Sequence, residues 1–317
     1  MSQNILRRLL QGIPVVLLVS FLIFIMINMA PGDPIARLQN PNITKEDLQA
    51  KYDELGLNDP IPVRYARWLG NFIKGDFGYS MDSTRQPVNE LIAERIKPTL
   101  FLTIGAMLLS IILAIPIGII SATRQYSIFD YLATFGAFLG VSIPSFFFGL
   151  VLLFTFSLKF SLFPSGGFTQ ATGINNFLTQ LHHAALPILA LGLARVASMT
   201  RYMRSSMLEV IREDYIRTAR AKGLKEKIVI YKHALRNALI PVVTLIGLSV
   251  PLLFGGSVII EEVFSYPGMG RLLVRAVWQR NYTVIMGVDV LMAVLVFLGN
   301  LLADLFYVIV DPRIQYD

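Results

Sequence analysis

Leu100–Ser121 reads LFLTIGAMLLSIILAIPIGIIS, a stretch without one ionisable side chain. Coiled as an α-helix at 1.5 Å per residue it would be about 33 Å long, enough to cross a hydrocarbon core of roughly 30 Å. Similar runs recur at Leu9–Ala30, Tyr131–Leu158, Ala184–Met203, Ala238–Ile260 and Thr283–Val310. Charged residues make up 15% of the chain and hydrophobic ones 54%, with a mean hydropathy of +0.59. Soluble domains carry about 25% charged residues, so this composition calls for lipid as the solvent. The expected fold class is an all-α membrane protein with about six transmembrane helices.

The net charge is +7 and the pI about 9.6. The basic residues gather at the ends of apolar runs, a pattern that reports topology and anionic headgroups rather than nucleic acid. Arg7 and Arg8 precede the first run and place the N-terminus inside. The segment between the fourth and fifth runs is then cytoplasmic. It carries Arg212, Arg217, Arg220, Lys222, Lys225, Lys227, Lys232 and Arg236 against Glu209, Glu213, Asp214 and Glu226. Arg124 and Arg313 fall on the same side, whereas the loop between the third and fourth runs has little besides Lys159. The expectation is a multi-pass protein of the cell membrane (plasma or inner) with both termini cytoplasmic. The first run is long for a signal core, and Asn28-Met29-Ala30-Pro31 is a poor cleavage site, so it reads as a retained span. Cysteine is absent from the sequence, which removes disulfides and thiolate chemistry.

Four regions follow: an N-terminal span at 1–30, a small helical lobe outside the membrane at 31–98, a core transmembrane domain at 99–310 and a cytoplasmic tail at 311–317. Within the lobe, Thr44-Lys45-Glu46-Asp47 resembles a capping box that opens a helix ending near Gly56. Asp59-Pro60 starts a second helix, with Ile61, Tyr65, Trp68, Leu69 and Phe72 on one apolar face. Gly75, Gly78 and Ser80–Gln86 form a turn, and Val88, Leu91, Ile92 and Ile96 mark a third amphipathic helix leading into the second span. Pro116, Pro144, Pro187 and Pro251 interrupt apolar runs, each as a packing kink or a hinge.

Enzyme signatures are missing from the sequence. There is no G-x-x-x-x-G-K-[ST] loop for nucleotide phosphates, and Pro267-Gly268-Met269-Gly270 lacks the βαβ setting of a dinucleotide site and reads as a turn. His182 and His183 are adjacent and point apart on a helix, a poor arrangement for zinc. Asp289 lies within the sixth run, with Asn300 and Asp304 further along it. An ionisable group at such depth lines a pathway or pairs across helices. Glu261 and Glu262 are expected solvated at the outer mouth, where they are candidates for an outer gate.

Glu209–Pro241 reads EVIREDYIRTARAKGLKEKIVIYKHALRNALIP. Gly223 divides two helical patterns and permits a sharp turn between them. Ala219 and Ala221 leave room for another protein's surface. Ile216, Leu224, Ile228, Val229 and Tyr231 supply more apolar surface than a solvated basic loop requires, which points to a cytoplasmic partner.

This segment resembles the EAA loop of ABC importer permeases: E-A-A, three residues, Gly, then nine residues to I-x-L-P. Arg217-Thr218-Ala219 stands at E-A-A, Gly223 at the glycine and His233-Ala234-Leu235-Arg236 at I-x-L-P. Arg217, Thr218 and Arg236 depart from the general motif. The departures are similar to the dipeptide/oligopeptide branch of the family. So are Ala30–Pro34, Gly56–Pro60, Gly75–Gly78, Glu262–Gly270 and Asp311-Pro312-Arg313. The resemblance covers nearly the whole chain.

It implies the permease subunit of a binding-protein-dependent, ATP-driven importer of oligopeptides or dipeptides. Implied partners are a second homologous permease, two ATP-binding cassette ATPase subunits and an extracellular or periplasmic substrate-binding protein. The chain itself would hold no cofactor and no metal; ATP and magnesium would sit on the ATPases, and the chain would not be an enzyme. Coupling to the ATPase would fall to Tyr215, Arg217, Thr218, Ala219, Arg220, Ala221, Lys222, Gly223 and Leu224 within a loop at 209–237. Alternatives are the same architecture carrying nickel or glutathione, a secondary transporter, and an intramembrane enzyme. The sequence shows neither the internal repeat nor the several intramembrane charges of the second. On the sixth run Asp289 and Asp304 are about four turns apart, too far to form a catalytic pair.

Overall fold

The computed structural model describes residues 2–29, 58–82, 84–169, 176–255 and 258–310, the backbone alone at 2–9, 255 and 304–310. Helices account for nearly all of it: α1 (Ser2–Met29), α2 (Ile61–Ile73), α3 (Val88–Thr123), α4 (Ile128–Ser142), α5 (Ser145–Leu152), α6 (Phe177–Val210), α7 (Asp214–Ala221), α8 (Leu235–Ser249), α9 (Leu252–Gly255), α10 (Val258–Val263), α11 (Met269–Trp278) and α12 (Tyr282–Val310). Two π-helical stretches, Leu153–Lys159 and Val229–Ala234, extend α5 and lead into α8. No strand forms among the described residues; Tyr79 and Pro87 make one isolated bridge. Five helices are long and apolar enough to cross a membrane, or six if the bent α4–α5 pair is one span. Helices suit lipid because each satisfies its own backbone N–H and C=O groups where no water can.

Two predicted spans are reshaped. The run Tyr131–Leu158 is broken by 102° between α4 and α5. Ile143, ahead of Pro144, is extended (φ −85°, ψ 123°), the conformation a following proline enforces by steric clash. The run Ala238–Ile260 is helical only to Ser249, and α9 and α10 follow after Pro251. Pro116 and Pro187, by contrast, sit inside continuous helices. The predicted third lobe helix is not separate: Val88–Ile96 is the beginning of α3. The helix predicted from Thr44 lies outside the described residues.

The chain divides into two compact units. The first comprises Met1–Lys97 with Arg271–Leu298. Its core joins Phe24, Met286 and Val290 to the aromatic face of α2, where Tyr65, Trp68 and Phe72 continue a ring column to Phe77. The Tyr65 and Ser20 hydroxyls are 2.7 Å apart. Asn281 Nδ2 donates to Ser80 Oγ at 2.6 Å, and the Met81 amide donates to Asn281 Oδ1 at 3.1 Å.

The second unit comprises Pro98–Gly270 with Gly299–Asp317. Its centre is α6, against which α4, α5 and α8 pack. A Cβ at Gly105 or Gly192 would meet Ile188 or Leu109, so α3 and α6 approach as closely as small residues permit, as membrane helices commonly do. One apolar cluster gathers Ala114, Val196, Met203 and Met207 with the end of the unit that carries 211–237. Another, at the opposite end, gathers Leu102, Leu186, Ile260, Phe264 and Tyr266.

A buried ion pair ties three helices of this unit. Arg204 on α6 donates to Asp130 on α4 through Nε and Nη2, at 2.7 and 2.9 Å, and its Nε also reaches Ser121 Oγ on α3 at 3.1 Å. Ser121 Oγ donates in turn to Asp130, and the Tyr126 amide donates to Asp130 Oδ2 at 3.0 Å. The Asp130 side chain is 4% exposed, so deleting Arg204 strands a buried carboxylate. Arg204→Ala should destabilise the assembled protein by about 3 kcal/mol, the low end for a broken buried pair because the guanidinium is partly open. Arg204→Met with Asp130→Leu should recover most of that loss, read as thermal midpoints in detergent. Equal losses in the single and double variants would contradict the pairing.

Candidate coupling surface

Glu209–Pro241 folds as a bracket at one end of the second unit. Glu213 precedes α7, which closes at Lys222. There the Gly223 amide donates to Arg220 O at 2.9 Å and the Leu224 amide to Ala219 O at 3.4 Å. This paired ending requires a left-handed residue, and Gly223 supplies it at φ +74°. A Cβ at Gly223 would find nothing within 4 Å, so the demand on this position is conformational and not spatial. Beyond the turn come the helical turn Glu226–Ile228 and the π-helical stretch, which runs without a break into α8.

The eight residues of α7 are divided by burial. Ile216 is fully buried and Ala219 nearly so, in the cluster that includes Met203, Met207, Val229, Ala234 and Ala238. Ala219 therefore does not offer room to another protein; it seats the helix on the chain's own core, as do Ile216 and Val229. Tyr215, Arg217, Thr218, Arg220, Ala221, Lys222 and Leu224 are exposed, and so are Ile228 and Tyr231.

Polar contacts hold the bracket's shape. Asn237 Nδ2 donates to the Tyr215 hydroxyl at 2.7 Å, linking α7 to α8. Arg220 pairs with Glu226 through Nε and Nη2, at 3.1 and 2.7 Å, bridging the turn at Gly223, and this partner raises the Arg220 pKa above its ordinary value. Arg217 meets Asp214 at 3.1 Å. These pairs are exposed, so they set geometry more than stability.

The remaining candidates are scattered. Glu261 is fully buried rather than solvated. Its carboxylate accepts from Thr99 Oγ1 at 2.8 Å, and Thr99 Oγ1 accepts the Met269 amide at 2.8 Å. A Cβ on Gly268 would collide with the carboxylate, so the Tyr266–Gly270 turn is wrapped around Glu261. Glu261 is thus the anchor of that turn, while Glu262 beside it is exposed. Asp289 is half-buried in α12 and Asn300 exposed; Asp304 lies in the same helix. His182 Nε2 and His183 Nδ1 donate to Leu162 O and Gly166 O at 3.0 and 2.9 Å, tying down the loop after the π-helical stretch of α5. No cluster of three potential metal ligands occurs among the described residues. Arg195, inside α6, was passed over by the sequence reading, although an arginine within an apolar run is a signal by itself.

Residues 114–316 match the family described as binding-protein-dependent transport system inner membrane component, and residues 1–103 match its N-terminal companion. The chain is 46% identical over 316 residues to the oligopeptide transport system permease protein AppB of Bacillus subtilis, covering 100% of both. It is 44% identical to a putative peptide permease protein of Brucella suis, with 99% of each covered, and 40% identical to the glutathione transport system permease protein GsiC of Escherichia coli K12, with 100% of each covered. A chain of the inward-facing MetNI methionine ABC transporter superposes with a TM-score of 0.54 at 21% identity, over 70% of this chain and 96% of that one. At that identity the likeness shows the fold.

Gly223→Ala should cost about 1 kcal/mol of local stability, the strain of an L residue in the left-handed region, with no clash. Gly223→Asn should cost less, because asparagine tolerates that region. Amide exchange across 214–224 measures both. Faster exchange with Asn than with Ala would contradict a purely conformational role.

Proposed function

Because the chain belongs to the binding-protein-dependent transport system inner membrane component family, we propose that it is the permease subunit of an ATP-driven importer of oligopeptides or dipeptides. The bracket at 209–237 is its attachment to a cytoplasmic ATPase subunit. The solute arrives from an external binding protein and passes between this chain and a second, homologous permease. ATP and magnesium belong to the two ATPases, and the permease makes and breaks no bonds. The positive-inside distribution of charge supports cytoplasmic termini and a cytoplasmic bracket. The relatives named for oligopeptides, peptides and glutathione support a peptide solute, since glutathione is itself a small peptide.

One observation carries the coupling role: α7 is seated on its inner side by Ile216 and Ala219 and bare on its outer side from Tyr215 to Leu224. A motor that grips the bare side moves the seated side with it, because a densely packed contact transmits displacement instead of absorbing it. The turn at Gly223 keeps Arg220 and Leu224 at the rim of the bracket.

Purification of the chain with and without co-expressed ATPase subunits tests the assignment. Capture of an ATPase through the bracket, weakened by Leu224→Asp, is expected. Gly223→Trp should insert normally, since its surroundings are open, but ATP hydrolysis should be uncoupled from peptide uptake. Normal uptake by that variant would count against the coupling role, and uptake by the chain alone would favour a secondary transporter.

A further inference from the structure

Arg195 stands about 27 Å from the start of α6 and about 22 Å from its end, at 1.5 Å per residue, near the middle of a membrane span. Its side chain is half-buried, and Nη1 is buried without a hydrogen-bond partner among the described residues. A guanidinium at such depth persists only beside water, protein or a counter-ion. Within the apolar run Ala184–Met203 it lies about 12 Å along the axis from the nearer end, inside the hydrocarbon core.

The side of α6 that carries Arg195 differs from the lipid-like surfaces of its own unit. Ala194, Arg195, Ser198, Arg201, Tyr202 and Ser205 are half-buried or exposed there, and they are small or polar. On α4 and α5 the exposed side chains include Phe135, Phe138, Phe147 and Leu150, as acyl chains favour. Another arginine of α6, Arg204, is paired with Asp130 and Ser121 through Nε and Nη2. Arg204 thus has a carboxylate partner, and Arg195 has none among the described residues.

We propose that this side of α6 borders the solute pathway and that Arg195 receives the carboxylate of the passing peptide, an inference that rests on the importer reading above. Peptide carbonyls can accept a hydrogen bond but leave the buried charge in place. A carboxylate neutralises it and matches the two-pronged guanidinium geometry. Every unmodified linear peptide carries one at its C-terminus, whatever its sequence, so the contact suits a carrier of varied peptides. Its hold must also be weak enough for release.

Because the sequence contains no cysteine, Arg195→Cys introduces a thiol unique in this chain. In the assembled importer with its binding protein, the membrane-impermeant anion 2-sulfonatoethyl methanethiosulfonate should modify Arg195→Cys at least about tenfold faster than Phe135→Cys, as water access differs between pathway and lipid. Separately, Arg195→Gln should raise the uptake KM for oligoalanines at least about tenfold, with partial recovery in Arg195→Lys. Modification no faster than at Phe135→Cys would overturn the pathway assignment, and an unchanged KM in Arg195→Gln would overturn the carboxylate contact. Loss of uptake with KM unchanged would mark a structural role and would also overturn it. If the wild-type assembly moves no oligoalanine, the importer reading fails instead, a result separable from both of these.

Discussion

Burial of Ile216 and Ala219 beneath α7 is the contact on which the bracket depends. An eight-residue helix rich in charge has no independent stability in water, because nucleation costs more than so few turns return. It exists here because two apolar side chains on one side enter a cluster built from the ends of α6 and α8. The same burial leaves the helix no freedom to slide. Its outer side is presented at a fixed angle by a membrane domain whose own helices are packed through glycine and alanine.

Polar groups in the membrane portion fall into two classes by how well they are satisfied. Asp130, Ser121 and Arg204 form a closed set, and Glu261, Thr99 and the Met269 amide form another. Each set joins segments distant in sequence, and each is a structural use of charge or hydroxyl in a medium that punishes unpaired groups. Arg195 is in neither set. The contrast within one helix is informative: Arg204 and Arg195 are both half-buried guanidiniums, but only Arg204 has a carboxylate partner among the described residues.

The apolar runs made the helical membrane fold legible, because length and the absence of charge suffice to identify a span. The aromatic spacing of Tyr65, Trp68 and Phe72 likewise disclosed a packed face. Breaks were less readable. Pro116 and Pro187 are absorbed by their helices, whereas Pro144 bends its span by 102°, and nothing in the local composition separates these cases. The solvation expected for Glu261 failed because a hydroxyl far away in sequence and a glycine turn enclose it; tertiary partners of that kind leave no local mark. Ala219 was legible as a small residue, but which surface it approaches depends on the rotation of α7. That rotation is set by Ile216 and the ends of α6 and α8.

Gly223 illustrates how a motif position can be required without taking part in recognition. Its surroundings are empty, so the glycine is not there to let a neighbour come close; it is there because the helix must end in a left-handed residue. On the proposed coupling role, recognition resides in side chains that the turn displays. Leu224, Ile228 and Tyr231 are exposed apolar groups on a surface otherwise dominated by lysine and arginine. Apolar anchors ringed by charge are the composition of a protein interface, where the former supply affinity and the latter steer the approach. The turn thus fixes where the anchors stand, and the anchors determine what can bind to them.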